Sequence, residues 1–276
     1  MQRLTFRANN QPRFQRITRP LHVVGLSVVF ALIASAQPSN PSIQAPAAPD
    51  LGPALSRAAE FYRAGNYVPA FRLFLQAAGA GNVEAMMYTG VMYGMGQGTP
   101  VNYVEARAWF VRAAAAGNSQ AMADIGILYF QGQGVPQDFK QAMTWFLKAA
   151  DAGNAEGMFD VGVLYRDGLG VPVAYGEAMR WFHKAADFGD TTAANEVGVL
   201  YHKGRGVPVN YTEAMNWYTK AADAGNDSAM YNIGVLYESG LGVNKDANQA
   251  VMWYRKAAAA GNQAAKDSLK ALGLRE

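Results

Sequence analysis

Cysteine is absent and histidine nearly so: the 276 residues hold no Cys and three His, at His22, His183 and His202. A disulfide framework, a thiolate metal site and a cysteine nucleophile are excluded, and three scattered imidazoles leave little material for a metal cluster. Charge is also sparse, at 16% of residues. The formal charge of +3 is unevenly placed, because residues 1–36 carry five Arg (Arg3, Arg7, Arg13, Arg16, Arg19) and no acid. The remainder has 19 basic against 21 acidic residues, a formal −2. Basicity therefore belongs to the leader, and composition gives no argument for nucleic acid, which needs a basic face on the folded part. Nucleophile and metalloprotease signatures are missing too: there is no Gly-x-Ser-x-Gly, no Ser-x-x-Lys and no His-Glu-x-x-His.

What is present begins with an apolar run, Leu21–Ala36, of 16 residues, against the roughly 18–20 that span a bilayer. An Arg-bearing flank, a short apolar segment and the closing Ala34-Ser35-Ala36 have the layout of a secretory signal peptide cleaved after Ala36. The expected location is then periplasmic or secreted. An uncleaved N-terminal anchor in the inner membrane is one alternative and a mitochondrial presequence another. Residues 37–52, rich in Pro and Ala, read as an extended linker.

From Gly81 the chain superimposes on itself at a period of 36. Turn doublets fall at Gly81-Asn82, Gly117-Asn118, Gly153-Asn154, Gly189-Asp190, Gly225-Asn226 and Gly261-Asn262, and Trp109, Trp145, Trp181, Trp217 and Trp253 keep the same clock. So do Gly90, Gly126, Gly162, Gly198 and Gly234. Within residues 153–188, Asn154 caps a first helix with Met158, Val161, Leu164 and Tyr165 on one face; Gly168 and Gly170 stop it, and Pro172 cannot continue it. A second helix starts near Tyr175 and buries Ala178, Met179, Phe182, Ala185 and Ala186. The mid-helix Gly162 lets the paired helix approach. The Gly-x-Gly loops follow helices and lead into Val-Pro, so turn chemistry, not dinucleotide binding, explains them.

The pattern Ala-x-x-x-Leu/Val-Gly-x-x-Tyr, then Gly-x-Gly-Val-Pro, then Tyr-x-x-Ala-Met-x-Trp-Phe/Tyr-x-Lys-Ala-Ala resembles Sel1-like repeats, relatives of the tetratricopeptide repeat. The resemblance covers five units (81–116, 117–152, 153–188, 189–224, 225–260), preceded by a tetratricopeptide-like pair at 53–80 and followed by a capping helix within 261–276. Thr99 replaces the loop Val in the first unit; in the fifth, Asn244 replaces the loop Pro and Ala247 the aromatic that opens the second helix, departures expected to loosen that loop's anchoring. The fold implied is an all-α, right-handed α-solenoid. The function implied is a non-catalytic scaffold or adaptor in the cell envelope that binds a protein or peptide, without metal or cofactor. Peptidoglycan or glycan binding, or regulation of a cell-wall enzyme, is the alternative, and membrane association follows only if the leader is retained. The Cys-rich members linked to penicillin binding depend on disulfides that this chain lacks.

Selectivity is expected where the repeat does not repeat. Counting from the doublet Gly, the fourth, seventh, eleventh and fourteenth slots share one face of each first helix, by analogy the concave one. The seventh reads Met87, Ala123, Phe159, Asn195, Tyr231 and the fourteenth Gly94, Phe130, Arg166, His202, Glu238. Met87, Phe130, Phe159, Arg166, Asn195, His202, Tyr231 and Glu238 are thus the candidate partner-binding residues. Lys148, Lys184 and Lys220, each three residues before an Asp, read as solvent-exposed i,i+3 ion pairs.

Overall fold

Each first helix begins where its sequence supplies a cap. In the computed structural model, which describes residues 52–274, the side-chain oxygens of Asn82, Asn118, Asn154, Asp190, Asn226 and Asn262 each accept the backbone N–H three residues on, at 2.7–2.9 Å. Each first helix from Asn82 to Asn226 ends at a Gly in the left-handed region, Gly96, Gly132, Gly168, Gly204 or Gly240. The two sequons of the chain, at Asn210 and Asn226, are both capping residues, which accounts for them structurally. The leader and nearly all of the linker lie outside the described residues.

Among the described residues there are thirteen helices and no strand: α1 (Gly52–Arg63), α2 (Tyr67–Gly79), α3 (Val83–Met95), α4 (Tyr103–Ala115), α5 (Ser119–Gln131), α6 (Phe139–Asp151), α7 (Ala155–Asp167), α8 (Tyr175–Asp187), α9 (Thr191–Lys203), α10 (Tyr211–Asp223), α11 (Asp227–Ser239), α12 (Ala247–Ala259) and α13 (Gln263–Ala271). They fall into two compact units, one ending at Gln137 and one starting at Asp138, and within each unit consecutive helices pack on one another in solenoid fashion. No described helix is long and apolar enough to cross a membrane.

Two contacts recur and set the packing. Inside a hairpin, the glycine at mid-first-helix sits under an aromatic of the second: a Cβ on Gly198 would come 2.6 Å from the Tyr218 ring, and Gly90, Gly162 and Gly234 meet Phe110, Phe182 and Tyr254 alike. Between hairpins, the second loop glycine lies against the residue that opens the previous second helix. Gly206, at φ 77°, would place a Cβ 2.8 Å from the Tyr175 carbonyl carbon. The same seat serves Gly98 on Tyr67, Gly134 on Tyr103, Gly170 on Phe139 and Gly242 on Tyr211. This corrects the expectation for the fifth unit: its loop is anchored on Tyr211, and the backbone N–H of Asp246 still closes it on the Tyr237 carbonyl at 3.0 Å. Ala247 opens α12, after which no further Gly-x-Gly loop follows to need an aromatic seat.

In the first unit, Tyr62, Phe74 and Tyr88 form an aromatic cluster that joins the tetratricopeptide-like pair to the first repeat, with Phe74 stacked on Tyr88 at 4.8 Å. Burial, with Glu84 nearby, pushes the Tyr88 hydroxyl up to about 12.

The second helices are capped by the side chains of Asn102, Asp138, Asn210 and Asp246, whereas α8 starts after Ala174, which has no side-chain oxygen to offer. Ala174→Asp supplies that acceptor and is expected to raise the unfolding free energy by about 1 kcal/mol in urea titration.

Candidate functional site

The candidate residues divide by burial, and the division has a geometric cause. Most side chains in the seventh and fourteenth slots of a first helix look toward the same hairpin's second helix and the next first helix. Met87, Phe130, Phe159 and Asn195 are buried, at 5%, 5%, 3% and 4% exposure, so the expectation that they line an exposed groove is corrected for these four. Phe159 tilts against Phe182 at 5.4 Å, and the Asn195 side-chain oxygen accepts from Asn232 Nδ2 of the next repeat at 2.9 Å. Arg166, His202 and Tyr231 are half-buried, and Glu238 alone of the eight is exposed.

Their partners show what the variation is for. Where the second-helix aromatic is Phe182, the fourteenth slot is Arg166, whose guanidinium lies 6.0 Å from the ring centroid. Where the aromatic becomes a tyrosine, the slot becomes a group that can meet a hydroxyl: Tyr254 donates to Glu238 at 2.6 Å, and the Tyr218 hydroxyl lies 3.4 Å from His202 Nδ1. Tyr231 tilts against Tyr254 at 5.5 Å. Burial raises both tyrosine hydroxyls above their ordinary value, with Glu196 adding to the effect at Tyr218 and Glu238 at Tyr254.

The strongest of these junctions is ionic. Arg166 Nη1 donates to Glu196 at 2.7 Å across to α9, while Nε and Nη2 grip Asp167 at 2.9 and 2.7 Å. Burial works against the charge on Arg166, but the Asp167 and Glu196 carboxylates outweigh it and hold the guanidinium protonated. Glu196 belongs to the eighth slot, which reads Tyr88, Asp124, Asp160, Glu196, Asn232, and its acids are buried. That slot was not singled out from sequence, although polar residues returning on the 36-residue clock within apolar helices were there to be read.

A second missed pattern is Trp-x-x-Lys/Arg. Arg112, Lys148, Lys184, Lys220 and Lys256 each stand over the tryptophan three residues earlier, at 4.1–4.6 Å from the ring centroid. Each such contact is worth about 0.5–1 kcal/mol. The expected i,i+3 Lys–Asp pairs yield to this arrangement; Lys220 reaches back one repeat to Asp187, at 3.9 Å. The i,i+3 pair Glu177–Arg180 does form, at 3.1 Å and well exposed.

Three slots of the first helices remain, the fourth, eleventh and fifteenth. In the second unit these are Glu156, Val163 and Asp167 on α7, Thr192, Val199 and Lys203 on α9, and Ser228, Val235 and Ser239 on α11. There the fourth is half-buried, the eleventh is buried at Val163 and half-buried at Val199 and Val235, and the fifteenth is half-buried at Asp167 and exposed at Lys203 and Ser239. The middle row is aliphatic and the flanking rows are polar and change in every repeat. No three His, Asp or Glu side chains among the described residues are grouped to hold a metal ion.

The period, caps and loop seats match a Sel1 repeat model at residues 83–118, 119–154, 155–190, 191–226 and 227–262. The chain belongs to the Sel1 repeat family. The matched units share the 36-residue period read above, with their origin two residues later. Among solved structures, a Sel1 repeat protein from Oxalobacter formigenes is 32% identical over 79% of this chain and 89% of its own, with a TM-score of 0.74. A protective antigen present in uropathogenic Escherichia coli strains, displaying an SLR fold, is 30% identical with a TM-score of 0.69; the match covers 82% of this chain and half of the antigen. The Pseudomonas aeruginosa protein PilF, at 16% identity over 80% of this chain and 96% of its own and a TM-score of 0.57, shares the fold. No curated protein gives a match. Sel1 repeat proteins generally act as protein-interaction scaffolds and are generally non-catalytic.

Two measurements test the seam. Arg166→Met removes the guanidinium that the buried Glu196 carboxylate shares with Asp167 and is expected to cost about 3–5 kcal/mol in equilibrium unfolding; Glu196→Leu, which leaves Arg166 paired with Asp167, is expected to cost less, and the double variant costs markedly less than the sum of the two. The second concerns His183, edge-on to Trp217 at 4.7 Å, and His202, edge-on to Tyr211 at 5.5 Å. Burial lowers both imidazoles below 6.5, with Lys220 lowering and Asp187 raising His183, and Lys203 further lowering His202. The unfolded chain therefore binds these protons more readily, and their contribution to stability is full above the unfolded value and lost on acidification. Unfolding free energy is expected to fall between about pH 7.5 and 5.5, with a shallower slope in His183→Gln/His202→Gln.

Proposed function

We propose that this Sel1 repeat protein is a non-catalytic adaptor that holds a protein or peptide partner along the open face of its first helices, after export to the periplasm or beyond. The observation that carries the reading is the separation of roles on those helices. In the second unit the seam is fixed by Arg166–Glu196 and Asn195–Asn232, so the neighbouring open face is held before any partner arrives and little ordering entropy opposes binding. On that face the half-buried Val199 and Val235 are flanked by side chains that differ in each repeat, with Val163 buried behind them, which suits an extended chain read position by position. The export half of the proposal is supported by the leader sequence alone.

A glycan-binding role would need open aromatic faces as stacking platforms. Phe130 and Phe159 are inside, each repeat tryptophan already carries a cation on its ring, and Phe188, at 62% exposure, is a single ring at a turn and not one of a row. These observations favour a polypeptide partner. A photo-crosslinking residue at Lys203 or Ser239, both exposed, is expected to trap one discrete protein partner in the native host. Adducts formed only from the second-helix and turn positions Asn216 and Phe188, or enrichment on isolated cell wall without a protein adduct, overturn the assignment.

A further inference from the structure

The second helix of the first repeat departs from the others on its outer side. Val104, Ala108, Val111 and Ala115 recur along α4 at the 4-3-4 spacing of one helical stripe, and all four are exposed, the valines at 58% and 40%. In each later repeat the same stripe contains at least one charge: Lys140, Arg180, Asp223 and Arg255 occupy these slots in turn. Val68, one period earlier on α2, holds the slot of Val104 and is 52% exposed, but Arg72 in the slot of Ala108 ends the apolar stripe there, so the uncharged stripe belongs to α4. Four repeats thus provide an internal control, and only the first leaves this stripe without charge.

The charges beside the stripe identify what would cover it. Glu105 and Arg112, both exposed, lie on the same flank of α4, the acid in the first turn and the base in the last. Arg112 is already steadied over Trp109 at 4.5 Å. A parallel helix of the same sequence would set like charge beside like. An antiparallel one brings Glu105 next to Arg112 of the partner subunit, and the two-fold axis repeats that pairing at the other end. Small residues at Ala108 and Ala115 let two backbones approach between the valines.

We propose that a second copy of this chain docks on α4 as an antiparallel, two-fold-related helix pair centred between Ala108 and Val111, with reciprocal Glu105–Arg112 pairs at its ends. Thirteen residues of helix span about 20 Å, so the interface is small and the dimer weak, reversible and dependent on concentration.

Sedimentation equilibrium of the full chain from roughly 1 to 100 µM tests this. The expected result is a monomer–dimer equilibrium whose dissociation constant rises about tenfold or more in Val104→Lys and in Val111→Lys, with helical circular dichroism and Tm unchanged because both sites are exposed. Glu105→Arg and Arg112→Glu each weaken the dimer, and combining them restores it to within about threefold of the parent. A chain that stays monomeric throughout, a dimer indifferent to the valine substitutions, or a charge reversal that fails to restore association overturns the proposal. So does a monomer that instead co-sediments with phosphatidylethanolamine–phosphatidylglycerol vesicles and loses that binding in Val111→Lys, since the stripe would then belong to a lipid surface.

Discussion

A helical hairpin of 36 residues cannot cover its own apolar surface, and everything else in this molecule follows from how each hairpin is covered by the next. The covering is achieved at two places. One is the seat of a loop glycine on the first residues of the preceding second helix, where any side chain would collide with backbone. The other is the seam between successive first helices, where the contacts are private to each junction: Arg166 with Glu196, Asn195 with Asn232, and the Asn262 cap with Asp227. The shared contact fixes the spacing of the repeats, and the private ones fix which repeat follows which.

The shared part was open to reading in the sequence because it is periodic. Caps, stop glycines, the mid-helix glycine under Phe182 and the thirteen-residue helices all return on the same clock, and repetition separates signal from chance. The private part was misread for a physical reason. Variation within a repeat array reads as selectivity for a partner on an exposed face. In a stacked array a buried position also varies, provided its partner one repeat on varies with it. Arg166 and Glu196 lie thirty residues apart in different slots, so comparing like slot with like slot separates the two halves of the pair. The Phe-to-Tyr change at Tyr218 and Tyr254, matched by His202 and Glu238, was the readable form of the same rule.

Membership of the Sel1 repeat family fixes the fold and the general role, and the particulars of this chain lie in what it adds to the shared frame. Cation-covered tryptophans close off one class of ligand contact on the second helices. The seam side chains hold the first helices at defined separations. On the first helices of the second unit a largely buried aliphatic row is bordered by polar side chains that change from one repeat to the next, Lys203 and Ser239 being the exposed ones in the fifteenth slot.

The Arg166–Glu196 junction also bears on how such an array changes over time. Tandem segments that share one period can be duplicated or deleted as whole modules. Excising the third module here would remove Arg166 and put Phe130 in its slot, so the buried Glu196 carboxylate would lose the guanidinium it now accepts from. Modules that look interchangeable by period are thus ordered by their ends, and length in this lineage can drift freely only at junctions that carry no such lock.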